Sequence, residues 1–175
     1  MVTTCAVDDH QVSDNTFGLF IAYVLPGFVA LYGLPVTQLS GAGWSLVLAN
    51  PDPSVTELLL LTVQAVTVGL IVSAIRWITI DAFHHLTGLR APNWNFAALD
   101  HGVAVMELLI QIHYRYYKFY ANMVVALVWS FLTRGSSLGW RSDLCYGTLT
   151  VLFFFASRDT LRKYYARTSS LFDRG

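Results

Sequence analysis

Stretches nearly free of charge alternate along the chain with polar, turn-forming segments. The first apolar stretch, "FGLFIAYVLPGFVALYGLPV" at 17–36, contains no Asp, Glu, Lys or Arg. About 20 mostly apolar residues cross the ~30 Å hydrocarbon core of a bilayer, so 17–36 predicts a membrane-crossing helix. Pro26-Gly27 predicts a kink in it, tolerated in a membrane where a neighbour re-satisfies the freed carbonyl. Asn15 or Thr16 is suited to cap its start. The Gly- and Pro-rich "SGAGWSLVLANPDP" reads as a loop, with 44–48 amphiphilic enough to lie on a membrane surface.

The second element has a sharper start. Ser54 and Glu57 stand in the S-x-x-E spacing of a capping box, directly after Pro53. The uncharged "LLLLTVQAVTVGLIVSAI" at 58–75 follows, the helical pattern runs on to Leu86, and Gly88 is the expected stop. From 55 to 86 such a helix is roughly 48 Å long, so its last part should project past the bilayer. "LDHGVAVMELLIQI" at 99–112 is too short to cross and predicts a partly embedded amphipathic helix. Two later spans, "FYANMVVALVWSFLT" and "LCYGTLTVLFFFAS", are also short. They would cross with help from flanking Tyr and Trp, snorkelling Arg and Lys, or local thinning of the bilayer. The expected fold is an all-α integral membrane protein forming a single membrane domain, 1–175. It has about four transmembrane helices (17–36, 57–78, 116–133, 143–158), a cytoplasmic loop at 79–115 carrying the embedded helix, and a basic tail at 159–175.

Composition agrees with this pattern. Of 175 residues, 55% are hydrophobic and 13% charged, about half the charged share of a soluble domain. Net charge is zero, which gives no global attraction to nucleic acid or an acidic partner. Cys5 and Cys145 are too few for a disulfide framework, and neither stands in a CxxC. "MVTTCAVDDHQVSDNT" is acidic, without Lys or Arg, and is not a signal-peptide start.

Charge placement predicts orientation. The first loop has no Lys or Arg and the third has Arg134 and Arg141. Arg76, Arg90, Arg115, Lys118, Arg158, Arg162, Lys163, Arg167 and Arg174 fall on the other side. Lys and Arg accumulate in the cytoplasm, so both termini are expected inside, at the plasma (inner) membrane if the cell is bacterial. "HYRYYKFYAN" at 113–122 and "RKYYAR" at 162–167 then lie at one depth, the cytoplasmic interface. Tyr114, Tyr116, Tyr117, Lys118, Tyr164 and Tyr165 read as interface anchors there rather than as a nucleic-acid patch, since no wider basic surface accompanies them.

Three groupings hold chemical potential. Ala65, Gly69 and Ser73, four residues apart, form a small-residue seam for close helix packing, within one subunit or between copies. Arg76, Asp81, His84, His85, Glu107, His113 and Arg115 form a polar cluster on the cytoplasmic side. Asp81 with His84 or His85 has a spacing that can put two ligands on one helix face. There is no HExxH, and no metal or cofactor is expected. Glu107 in "VAVMELLIQI" is a carboxylate in a nearly embedded helix, costly and often functional or paired. No nucleophile elbow or phosphate-cradling Gly loop is present. The leading function class is a homo-oligomeric channel, pore or membrane-perturbing effector, acting in the lipid bilayer with a soluble or membrane protein partner at the cytoplasmic face. A membrane-bound enzyme using the Asp/His/Glu cluster and a scaffold docking a soluble partner are the alternatives.

Overall fold

The computed structural model describes residues 18, 20–34, 52–89, 91, 106, 109–134 and 139–172. The described residues form four helices and no strand. Helix α1 is Phe20–Gly33, a π turn (Phe20–Val24) running into an α-helix (Leu25–Gly33). Helix α2 is Val55–Leu86, interrupted by a π turn at Trp77–Asp81. Helix α3 is Arg115–Arg134, led in by a π turn at Ile110–Tyr114. Helix α4 is Trp140–Phe172.

Local chemistry sets the ends of α2. The Ser54 side chain accepts from the Glu57 N–H at 3.3 Å, and Glu57 accepts from the Ser54 N–H at 2.7 Å, the reciprocal box expected from the spacing. At the other end Gly88 takes φ +91°, a conformation that strains a side chain with Cβ. Gly88 and Leu89 N–H groups turn back to the carbonyls of His85 and His84 at 3.3 and 3.1 Å. This satisfies carbonyls that the helix end leaves open.

The helices run up, down, up and down. On α3, Asn122, Ser130 and Thr133 donate in that order to the carbonyls of Ala22, Val29 and Gly33 at 2.8, 2.7 and 2.6 Å, so α1 and α3 are parallel. The first of these bonds answers the proline. Pro26 has no N–H to offer the carbonyl of Ala22 four residues back, and Asn122 supplies the missing donor. Helix α2 runs against α1: Gly27 lies on the Ala65 carbonyl and Gly69 on the Tyr23 carbonyl, so closely that a Cβ at either glycine would collide with backbone. Helix α4 runs against α3, with Phe131 beside Tyr146 at one end and Tyr114 beside Tyr164 at the other, at 6.3 and 5.4 Å between ring centroids. The two tyrosine-basic stretches therefore share one end of the bundle.

Two features depart from expectation. One helix among the described residues, Val55–Leu86, is long and apolar enough to cross a membrane by itself; the expectation of four such spans is not met. Helix α1 is only about 21 Å long at 1.5 Å per residue. The first half of α3 is diluted by Tyr116, Tyr117, Lys118, Tyr120 and Asn122, and α4 by its threonines and the flanking Asp143, Arg158 and Asp159. The fourth span and the tail are also one continuous helix to Phe172. The segment before the third span joins α3 directly through the π turn from Ile110, as the continuity of its apolar pattern with the third span allows. Asn15, Thr16, 44–48, Arg90 and Glu107 lie outside the described residues.

Candidate functional site at the tyrosine-rich end

The site begins with a change of register in α2. Its buried positions are Leu61, Ala65, Gly69, Val72 and Arg76, each three or four residues after the last. The next buried residue is His84, eight further on. In a continuous α-helix eight residues leave it about 80° out of line with Arg76. The π turn absorbs one residue, the spacing behaves as seven, and the offset falls to about 20°. Arg76, Asp81 and His84 thereby continue the stripe that faces α3 and α4.

Asp81 is the centre of the first group. Its Oδ1 accepts from the Arg76 guanidinium at 3.3 Å and from the Tyr117 hydroxyl. Arg76 and Asp81 side chains are 6% and 17% exposed, and Tyr117 is 1% exposed. The guanidinium carbon also sits 5.5 Å from the centre of the Tyr117 ring. A buried pair of this kind offsets a large desolvation cost through mutual attraction and charge-assisted hydrogen bonds.

The second group joins α2 to α4. His84, fully buried, places Nε2 3.2 Å from the Ser157 hydroxyl. Ser157 spends its only proton on the Phe154 carbonyl at 2.8 Å, so Nε2 carries the hydrogen in the His84–Ser157 bond. Nδ1 is buried with no partner among the described residues. Phe154 packs edge-on to Phe83 and against the His84 ring at 5.7 and 5.4 Å between centroids. Arg158 donates to the Thr87 hydroxyl and carbonyl at 2.9 and 3.3 Å, a cation on the C-terminal end of α2.

Around these groups lies a layer of tyrosines. Tyr117, Tyr114, Tyr164 and Tyr165 meet in that order through tilted rings, and Tyr117, Ala121, Leu161 and Tyr164 form a buried cluster. Lys118 lies 4.7 Å over the Tyr114 ring and donates to the Tyr23 hydroxyl at 3.4 Å. Burial, reinforced by the neighbouring Tyr114, pushes the Tyr164 and Tyr165 hydroxyls above the usual phenol range. Burial, then Arg167 and Lys163, pushes the His113 imidazole below its ordinary value.

Of the residues expected here, Arg76, Asp81 and His84 do come together, joined by Tyr117. Tyr117 was expected at headgroup level but is enclosed by α2, α3 and α4. His85 points outward and Tyr116 is exposed, stacked on Tyr120 at 6.4 Å. His113 is buried on the side facing Arg167 and Lys163. Arg115 lies along Gly18. Ala65 and Gly69 of the small-residue seam are buried against α1, while Ser73 is half-buried. Among the described residues no three His, Cys, Asp or Glu side chains are placed to hold a metal ion. Sequence reasoning missed Ser157, Arg158 and Asn122. The available signal was a lone small polar group after "FFFA", and a lone amide in the apolar run that follows the tyrosines.

The arrangement holds three helices together at one end, with Asp81, Tyr117, His84 and Ser157 engaged with one another inside the bundle. No known protein family matches the chain, nor does any curated protein or solved structure.

Proposed function

We propose that the chain is a polytopic membrane protein that self-associates in the bilayer. It acts there as a homo-oligomeric pore or membrane-perturbing effector, with a partner at its cytoplasmic face. The observation carrying this reading is the distribution of polarity. Within the apolar part of the bundle Arg76, Asp81 and Asn122 are turned inward onto a helix carbonyl or each other, the exposed charges of α4 gather toward its two ends, and the outer face of α2 is apolar. Leu59, Leu60, Val63 and Leu70 of α2 are each more than half exposed. Water is a poor neighbour for such a surface and lipid a good one.

Two belts support the same reading. At one end are the tyrosine layer and Lys118. At the other, Arg134 lies 3.8 Å over the Tyr32 ring and Arg141 5.6 Å from that of Trp140. Aromatic and basic side chains favour both membrane interfaces. Along α3, Lys118 to Arg134 is about 24 Å, short of the ~30 Å core, so the bundle would thin or tilt in its bilayer. In this reading all four helices lie in the membrane, packed so that α2 shelters the less apolar ones. The tyrosine end and both termini face the cytoplasm, and the membrane is the plasma (inner) membrane if the cell is bacterial.

Self-association is supported on α4 rather than on the seam of α2, which α1 already occupies. Trp140, Leu144, Gly147, Val151 and Phe155 make one exposed stripe, and among the described residues nothing lies within 4 Å of where a Cβ on Gly147 would stand. A glycine on an apolar helix face lets a second backbone approach. Cys145 is free and exposed beside that stripe. With Cys5 replaced by Ser, oxidation in native membranes should give a Cys145-linked dimer, and reconstituted liposomes should leak a trapped dye. A protein that stays monomeric and leaves liposomes sealed would sink the pore reading and leave a scaffold for a soluble partner. The enzyme alternative needs substrate access to Asp81 and His84, both of which are held inside the bundle.

A further inference from the structure

We infer that the groove between α2 and α3, floored by α1, is a binding site for one hydrocarbon chain of a membrane phospholipid. This rests on the membrane reading above. The groove has a volume of ≈ 490 Å³, within the range of small-molecule sites. Val68, Ile75 and Ile80 of α2 form one wall, and Val125, Val128 and Trp129 of α3 the other.

The lining decides the occupant. Its one side-chain hydroxyl, on Thr79, is spent on the Ile75 carbonyl of its own helix at 2.8 Å. Water entering the groove would find only the Trp129 indole N–H to bond, too few partners to hold it, and cavities this apolar stay dry. An extended peptide would bring unpaired N–H and C=O groups, each costly in an apolar setting. A helix from a second copy needs small residues to come close, and no Gly, Ala or Ser lines the α2 or α3 wall. The walls are branched and bulky, which suits a thin, flexible, apolar guest.

Length and position agree. From Val68 to Ile80 the α2 wall runs about 18 Å, close to one leaflet, ~15 Å or half of the hydrocarbon core. Its far end lies beside the Arg76–Asp81 pair, where polar groups begin. A chain that enters there and lies along the groove keeps its glycerol end at the interface and its methyl end near mid-membrane.

The test is native mass spectrometry of protein purified in mild detergent, then delipidated and re-exposed to dioleoyl phosphatidylglycerol or to oleate. Wild type should retain one phospholipid per chain. V128W, which fills the groove, should lose it; L132W, on the same wall, serves should V128W fail to fold. L59W, on the open face of α2, should retain it. Equal retention by V128W and L59W, or capture of oleate but of no phospholipid, would overturn the inference. If the protein is instead recovered soluble without detergent, the membrane reading fails first. A membrane-extracted protein that retains nothing sinks the groove alone.

Discussion

The two ends of the bundle are held by different means. At the tyrosine end, side chains from α2, α3 and α4 bond to one another: Arg76 and Tyr117 to Asp81, His84 to Ser157, and Arg158 to Thr87. At the other end the hydrogen bonds from α3 to α1 go to backbone, Thr133 to the Gly33 carbonyl and Arg134 to that of Tyr32, with the Arg134 guanidinium also over the Tyr32 ring. There α4 meets α3 through Phe131 and Tyr146 and borders a cleft of ≈ 550 Å³ lined by Phe28, Tyr32, Leu127 and Tyr146. Helix-to-backbone bonds satisfy carbonyls whatever the neighbour is. Side-chain pairs demand one neighbour in one register. The tyrosine end therefore specifies how α4 sits on α2, and the apolar end leaves room for outside partners.

The sharpest way to break this contrast is at Asp81. Asp81→Ala leaves the Arg76 charge buried without its partner, a change that costs about 3–5 kcal/mol in comparable pairs. Thermal unfolding in detergent should show it as the largest loss of any single substitution here. Replacing the pair together, Arg76→Met with Asp81→Leu, should recover most of the loss. An Asp81→Ala protein as stable as wild type would mean that the pair does not hold the helices.

Next come substitutions at the α1 packing face. Gly69→Leu drives a side chain into the Tyr23 carbonyl and should cost about 1–3 kcal/mol through forced separation of α1 and α2. Asn122→Leu removes the donor to the Ala22 carbonyl, leaving a buried acceptor unsatisfied at about 1–3 kcal/mol. That loss should shrink when Pro26→Ala is added, because the helix then supplies its own N–H. A double-mutant cycle reads this coupling. Strictly additive losses would separate Asn122 from the proline.

These sites also show what a sequence discloses. The Ser54–Glu57 box and the Gly88 stop were legible because each depends on residues within a turn of one another. The common placement of the two tyrosine stretches was legible from the alternation of apolar segments. The fate of Tyr117 was not. Tyrosine suits an interface or a core equally, and only the π turn, which brings Asp81 round to it, decides. The same turn hides His84, because the step of eight from Arg76 breaks the helical period on which sequence reading relies. Ser157 and Asn122 act on partners 73 and 100 residues away, and no local pattern announces such a pairing. The expectation of four helices each apolar enough to cross alone is not met, because tyrosines and threonines dilute the apolar runs of α3 and α4 and α1 is short.

The smallest effect expected concerns the last turns of α4, which dock on the Ile110–Tyr114 turn. His113 there is buried, with Arg167 and Lys163 of α4 as its charged neighbours, and its pKa is lowered from 6.5 by burial first and by those cations second. A lowered histidine pKa means that the unfolded or undocked chain takes up the proton at higher pH than the docked one. Docking is then fully stable above about pH 6.5 and weakens as pH falls from there toward the lowered value, levelling off below it. Hydrogen exchange in the 160–172 segment should accelerate over that window. His113→Phe keeps a ring without the proton and should flatten the profile while leaving exchange at neutral pH nearly unchanged. A pH response that persists in His113→Phe would assign it to another group and leave His113 a packing residue.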